Sequence, residues 1–383
     1  MIKPKIDCSK LNAISPSMSA ADVKARILSG KLKLYGASVT HGGCSPNDPD
    51  AAAKQFASFG MNHARFHHTE VADVRGMVAF ADSLLSRGVR FSLSLASLLN
   101  QEYKDPRSFY PDLYAVKGNA ADQLYLENLQ RLHPLLSHRG CFLAVLTNEP
   151  CWAIQPNDAR RFWLHWSKLL KGKYPNVLLS DCSNPDAPYG GVGGKMRPEL
   201  FAQVAKLYDI ATFHIYVSDA AADGKADNVV EEQHWRRVVD YHRVVGKQLI
   251  INEFGSYASN PHQGSNTAFV LMECLRRKYS ATHYNWCDRP QHDDGGGNPY
   301  AILRDRFRQD LTLLGAHLFK YGGSTIEAKW GGDRKQRTSH YSQRFTNGFG
   351  DKSKVEVNIS KTKRIIWGLD KTKPSQWLVQ RGS

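Results

Sequence analysis

The chain has 383 residues, 42% of them hydrophobic and 23% charged, with a formal charge of +15. That length accommodates one α/β barrel of roughly 250 to 300 residues with a smaller appendage. The composition is that of an ordinary globular protein, and no run approaches the roughly 18 apolar residues that would argue for a membrane span.

Charge is unevenly spread. From Lys320 onward 14 Lys and Arg face 5 Asp and Glu, which puts +9 in the last 64 residues and +6 in the other 319. A basic tail of this kind serves solubility first, and otherwise suits an acidic glycan or a nucleic acid. It contains no recognisable nucleic-acid-binding motif, so a nucleic-acid partner is not expected. The seven cysteines are odd in number and show no CxxC spacing, which argues against structural zinc and a disulfide framework. Met1-Ile-Lys-Pro-Lys-Ile-Asp-Cys8 lacks a signal peptide's apolar core. With free cysteines this favours the cytoplasm, secretion by another route staying open.

In chain order, residues 1–30 read as a polar lead-in with a helix over Ala20 to Leu28 capped by Ser19. Strands are predicted over Lys31–Thr40, His63–His67, Val89–Leu95, Phe142–Leu146, Val177–Ser180, Ile210–Tyr216, Gln248–Phe254 and Ala281–Trp286. Helices alternate with them over Ala51–Phe59, Val74–Ser86, Ala120–Leu136, Asp158–Leu170, Pro198–Leu207, Val230–Val245, Thr267–Tyr279 and Leu303–Phe319. Eight such units and no GxGxxG favour a closed (β/α)8 TIM barrel over a doubly wound sheet. The expected organisation is a lead-in at 1–30, a barrel at 31–322 and a basic, β-rich segment at 323–383, where Lys354–Ser360 and Arg364–Trp367 alternate with period two.

Two strands end in the same way. Phe142-Leu-Ala-Val-Leu runs into Thr147-Asn148-Glu149-Pro150, and Gln248-Leu-Ile-Ile runs into Asn252-Glu253-Phe254-Gly255. In a barrel every strand points its C-terminal end at one face, where active sites are assembled. Other predicted strand ends are also polar: Arg65, His67 and His68 on strand two, His214 and Tyr216 on strand six, Asn285 and Trp286 on strand eight. A lone glutamate or histidine of this kind is as often a packed ion-pair partner. The joint occurrence is harder to explain by packing, because burying a charged cluster is costly.

Gly60-Met-Asn-His-Ala-Arg65, Asn148-Glu149-Pro150, His214-Ile-Tyr216, Asn252-Glu253-Phe254-Gly255 and Trp286 resemble the successive strand signatures of clan A retaining glycoside hydrolases, family 5 and its cellulase- and mannanase-type relatives in particular. The resemblance covers about residues 31 to 320. It implies Glu149 as general acid/base and Glu253 as nucleophile, with Asn148 on the substrate 2-hydroxyl. It further implies that Arg65 and Tyr216 orient Glu253, that His214 lines the cleft, and that Trp286 is the sugar platform. His67 and Trp152 are further candidate substrate contacts, as are Tyr257 and Tyr284. Asp181, Asn184 and Tyr189 are candidate cleft residues on strand five. One departure is strand three, Ser94-Leu-Ala-Ser-Leu-Leu-Asn100, which lacks the family's histidine.

The chemistry has its own requirements. Retaining hydrolysis needs two carboxyl groups about 5 to 5.5 Å apart, one protonated and one ionised, with neighbours that push their pKa values apart. The expected activity is therefore glycosidic hydrolysis of a β-linked oligo- or polysaccharide, with no cofactor and no metal. One alternative is a non-catalytic glycan-binding barrel. Another is a metal-dependent barrel hydrolase, disfavoured because strand one, Tyr35-Gly-Ala-Ser-Val-Thr40, has no HxH. His67-His68 and His292-Asp-Asp294 are metal-capable by type, but adjacent strand residues point to opposite faces.

Overall fold

The computed structural model describes residues 14–40, 45–67, 73–95, 120–146, 156–180, 182–183, 205–216, 238–240, 242–255, most of 270–286, residues 302, 312 and 316, and four strands between 323 and 369. Nine short strands make one sheet: β1 (Tyr35–Thr40), β2 (His63–His67), β3 (Arg90–Ser94), β4 (Cys141–Val145), β5 (Leu178–Ser180), β6 (Cys182–Ser183), β7 (Ala211–Tyr216), β8 (Leu249–Gly255) and β9 (Ser280–His283). Their order is β5-β4-β3-β2-β1-β9-β8-β7-β6, and every pairing is parallel. β5 and β6 are pieces of one stretch of chain, so the two ends of the order meet there. Eight parallel barrel strands thus nearly close on themselves, as a (β/α)8 barrel requires. Ser180 helps at the junction: its carbonyl accepts from Leu146 N at 3.0 Å, and its Oγ donates to the Ile210 carbonyl at 2.9 Å.

Among the described residues the helices with defined bounds are α1 (Ala20–Leu28), α2 (Pro49–Ser58), α3 (Val74–Ser86), α4 (Ala120–Arg131), α5 (His133–Leu136) and α6 (Pro156–Lys173). Their starts follow capping chemistry. Ser19, Asp48 and Asp73 each accept a backbone N–H of the first turn, and Pro49 occupies the first helical position of α2. α3 buries Met77, Phe80, Ala81, Leu84 and Leu85, the 3-and-4 spacing of one helix face. The single helix expected over 120–136 is broken between Arg131 and His133. Pro134 has no N–H to continue the ladder, and the chain restarts as α5. The helices predicted at Pro198, Val230, Thr267 and Leu303 lie largely outside the described residues.

Two apolar layers follow from strand alternation. Val39, Phe66, Leu93, Ala144, Phe213, Ile251 and Phe254 join Phe56, Phe80 and Trp166 of the helices in the outer layer. A second cluster joins Val23 and Ile27 of α1 to Leu34, Phe142, Leu143, Leu178, Ile210 and Ile250. It seats α1 against the N-terminal ends of the strands. Arg90, 1% exposed at the start of β3, secures that end. Its guanidinium donates to the carbonyls of Arg139 at 2.5 Å, Ser15 at 3.4 Å and Met18. Burial lowers its pKa to about 10, which still leaves it charged.

β10 (Gly323–Asp333), β11 (Thr338–Asn347), β12 (Lys352–Ser360) and β13 (Thr362–Leu369) form a separate four-stranded antiparallel sheet in sequence order, with a bulge between Thr325 and Glu327 on β10. Among the described residues no helix is long and apolar enough to cross a membrane.

Candidate active site

The described site is built by β2, β7 and β8. On β2 the alternate residues His63, Arg65 and His67 point into the barrel, while Ala64 and Phe66 belong to the outer layer. His63 is the deepest, its ring bonded to Ser92 Oγ at 2.9 Å and Thr282 Oγ1 at 3.1 Å. Burial, reinforced by the Arg65 charge, lowers its pKa to about 3, so it is neutral at physiological pH.

One step toward the C-terminal ends, Arg65 is fully buried and its Nη1 contacts both Ser38 Oγ at 3.4 Å and Glu253 Oε1. Glu253 is 4% exposed, and the same Oε1 lies 3.3 Å from His214 Nε2 and 3.8 Å from His67 Nε2. One carboxylate oxygen is thus approached by a guanidinium and an imidazole from β2 and by a second imidazole from β7.

A backbone irregularity aims Glu253 inward. Phe213 pairs with Ile251, but the next residue, His214, pairs with Glu253, which leaves Asn252 as an extra residue on β8. The pairing with β9 shifts over the same stretch, from Ile251 to Phe254. Strict alternation would put Glu253 on the side of Ile251, facing the helices. The bulge at Asn252 reverses the parity, so Ile251 and Phe254 stay in the outer layer and Glu253 turns into the barrel. Reading β8 with period two misses this reversal, and the only hint in the sequence is the polar Asn252-Glu253 pair in an apolar run.

The eighth barrel strand also differs from the expectation. β9 ends at His283, so Asn285 and Trp286 lie past it rather than on it. Trp286 N donates to the Ser38 carbonyl at 2.7 Å, and its ring packs 5.0 Å from Phe56 and 4.9 Å, edge-on, from Phe59. It is 3% exposed, so core packing takes up most of its surface. Among the described residues Tyr284, half-buried, brings an aromatic ring next to the site, 5.9 Å from that of His67. The Tyr284–Asn285 peptide is cis. Behind this segment Tyr35 Oη and His283 Nε2 meet at 2.5 Å in a buried pair that sequence inspection did not single out.

Of the sequence-predicted residues, the structure brings Arg65, His67, His214 and Glu253 together. Tyr216 closes β7 at the register position of Gly255, at the same end. Asn148, Glu149 and Trp152 lie outside the described residues, as do Tyr257, Asp181, Asn184 and Tyr189. β4, which leads to Asn148 and Glu149, is described to Val145 and is buried throughout.

Fold and site together define a parallel (β/α)8 barrel with a strand-end carboxylate held by basic side chains. Solved structures share this fold. One is an endo-β-1,4-mannanase from Thermotoga petrophila, with TM-score 0.60 and 12% identity over 88% of this chain and 97% of that one. A family 39 glycoside hydrolase from Bacteroides cellulosilyticus WH2 has TM-score 0.58 and 14% identity, covering 89% of this chain and 74% of that one. A glycoside hydrolase family 30 subfamily 8 xylanase from Clostridium acetobutylicum has TM-score 0.52 and 16% identity, covering 86% and 81% respectively. No family model matches the chain, and no curated protein matches it by sequence.

Proposed function

We propose that the protein is a retaining glycoside hydrolase acting on a β-linked oligo- or polysaccharide. The observation that carries the reading is Glu253, turned into the barrel by a bulge at the C-terminal end of β8 and held there by buried Arg65. A guanidinium in contact with a carboxylate favours its ionised form and fixes its orientation, both of which a nucleophile needs. The solved structures that share the fold include a mannanase and a xylanase, which supports a carbohydrate substrate.

In this reading Glu253 attacks the anomeric carbon while Glu149 protonates the leaving oxygen. A glycosyl-enzyme ester forms, and water, deprotonated by Glu149, then releases the sugar with net retention. Asn148 binds the 2-hydroxyl, Tyr216 and His214 help hold Glu253, and His67 contacts the sugar from the β2 side. Tyr284 takes most of the stacking role, since packing leaves little of Trp286 open, and Trp152 supplies a second aromatic face. The Arg65 cation on Glu253 also disfavours a metal at that oxygen, which weighs against a metal-dependent hydrolase.

The test is a hydrolysis screen over β-mannan, β-glucan, xylan, chitosan and aryl β-glycosides, comparing the wild type with Glu253→Ala. Turnover by the wild type alone supports the reading and names the sugar. Equal turnover by both would overturn it, and silence from both would favour a glycan-binding barrel.

A further inference from the structure

Register places His63 where it can bridge strands. Thr282 of β9, Gly36 of β1 and His63 of β2 share one cross-strand row, and Ser38, Arg65 and Ser92 of β3 share the next inward-facing row toward the site. β9 and β2 stand two strand spacings apart, about 10 Å, with β1 between them. Gly36 leaves the imidazole a path across that gap. A Cβ there would lie 1.7 Å from the His63 carbonyl oxygen and 3.0 Å from the His63 Cβ. His63 Nδ1 therefore meets Thr282 Oγ1 at 3.1 Å, and Nε2 meets Ser92 Oγ at 2.9 Å. The ring packs edge-on against Phe142 of β4, centroids 5.2 Å apart. His63, Ser92 and Thr282 are all fully buried, where such bonds are electrostatically stronger than in water.

A neutral imidazole has one N–H and one lone pair, so one of the two hydroxyls accepts from the ring and the other donates to it. With both nitrogens engaged, the ring presents no lone pair to Arg65, its neighbour on the same face of β2. An open acceptor at that level would draw guanidinium donors away from Glu253, and a cation would repel the guanidinium. Gly36, Arg65, Ser92, Phe142 and Thr282 face the ring from β1, β2, β3, β4 and β9, and of these Arg65 alone carries a charge. Burial, with the Arg65 charge, keeps the ring neutral.

We propose that His63 is a positioning residue for the nucleophile. By tying β2 to β3 and β9 beneath Arg65, it fixes the guanidinium at the height of Glu253 and leaves its donors directed at that carboxylate. The word nucleophile rests on the function proposed for the barrel; the tie itself does not.

The experiment is a carbon-13 NMR titration of the full chain labelled at its glutamate carboxyls, with the Glu253 signal assigned by its loss in Glu253→Gln. His63→Leu fills the space but makes neither bond. It should raise the pH at which Glu253 titrates by about one unit, since a nearby cation lowers a carboxyl pKa by about 1 to 3 and a slackened Arg65 forfeits part of that. His63→Gln keeps one donor and one acceptor, and should titrate within about 0.3 of the wild type. Thr282→Val and Ser92→Ala each remove one bond and should raise the titration by roughly half a unit, which decides the matter if His63→Leu does not fold. On an aryl β-glycoside, His63→Leu should lose at least about tenfold in kcat with KM within about threefold, and His63→Gln should recover the rate. An unchanged Glu253 titration in the variants that cut the bonds would overturn the proposal and leave His63 a packing residue. An equal shift in His63→Gln would overturn it too. The titration needs no substrate, so it reads the role of His63 even where the Glu253→Ala comparison overturns the hydrolase reading.

Discussion

Replacing Arg65 by methionine isolates the interaction on which the site depends. Arg65 is fully buried, Glu253 is 4% exposed, and the two are in direct contact. Breaking a buried pair by removing one partner costs about 3 to 5 kcal/mol, because the other charge is left in a poorly solvated place. His214 at 3.3 Å and His67 at 3.8 Å remain beside the carboxylate and compensate in part, so the lower figure applies. Arg65→Met should therefore cost about 3 kcal/mol, and Glu253→Gln, which strands the guanidinium, a similar amount. The double variant removes both charges and should cost clearly less than the sum, with a coupling of about 2 kcal/mol. Urea denaturation of the four proteins closes the cycle. Additivity within about 0.5 kcal/mol would refute the account of Arg65 as the residue that holds Glu253.

Other predictions follow from single positions. His63 is neutral in the fold, with a pKa lowered from 6.5 to about 3, so the unfolded chain binds the extra proton between those values. Its contribution is complete above pH 6.5 and is lost as pH falls, by about 3 kcal/mol at pH 4.5; His63→Gln should flatten that part of the stability profile. Gly36 has no room for a side chain, since a Cβ would lie 1.7 Å from the His63 carbonyl oxygen, so Gly36→Ala should abolish soluble expression. Gly172, near the end of α6, meets nothing within 4 Å, and Gly172→Ala should instead stabilise by about 0.5 to 1 kcal/mol in a thermal melt. Cys141, whose thiol burial pushes up to about 12, should resist thiol reagents at pH 8 until denaturant is added.

Much of this was legible in the sequence because local chemistry and burial agree. Val74–Ser86 matches α3 to the residue, with Asp73 as its cap and a five-residue apolar face. The strand-end residues Arg65, His67, His214 and Glu253 were recoverable because polar groups in apolar runs are too costly to be accidental. What was not legible lies where one residue changes the geometry. Pro134 splits a helix whose apolar spacing continues through it. Asn252 reverses the parity of β8, which alternation alone would assign wrongly. His63 looked like an ordinary strand residue, yet it fills the barrel interior below Arg65. Trp286 looked like a strand-end platform, but the strand stops at His283 and α2 brings Phe56 against the ring. Such contacts depend on which elements pack together and leave no local pattern.

The most direct test of the central claim is azide rescue of Glu253→Ala on an aryl β-glycoside that the wild type hydrolyses, with the product's anomeric configuration read by NMR. The account predicts that the variant is silent in buffer and, with azide, releases the aryl group and forms the α-glycosyl azide, because the small anion enters the space left by the missing nucleophile. Full hydrolysis by Glu253→Ala without azide would contradict it.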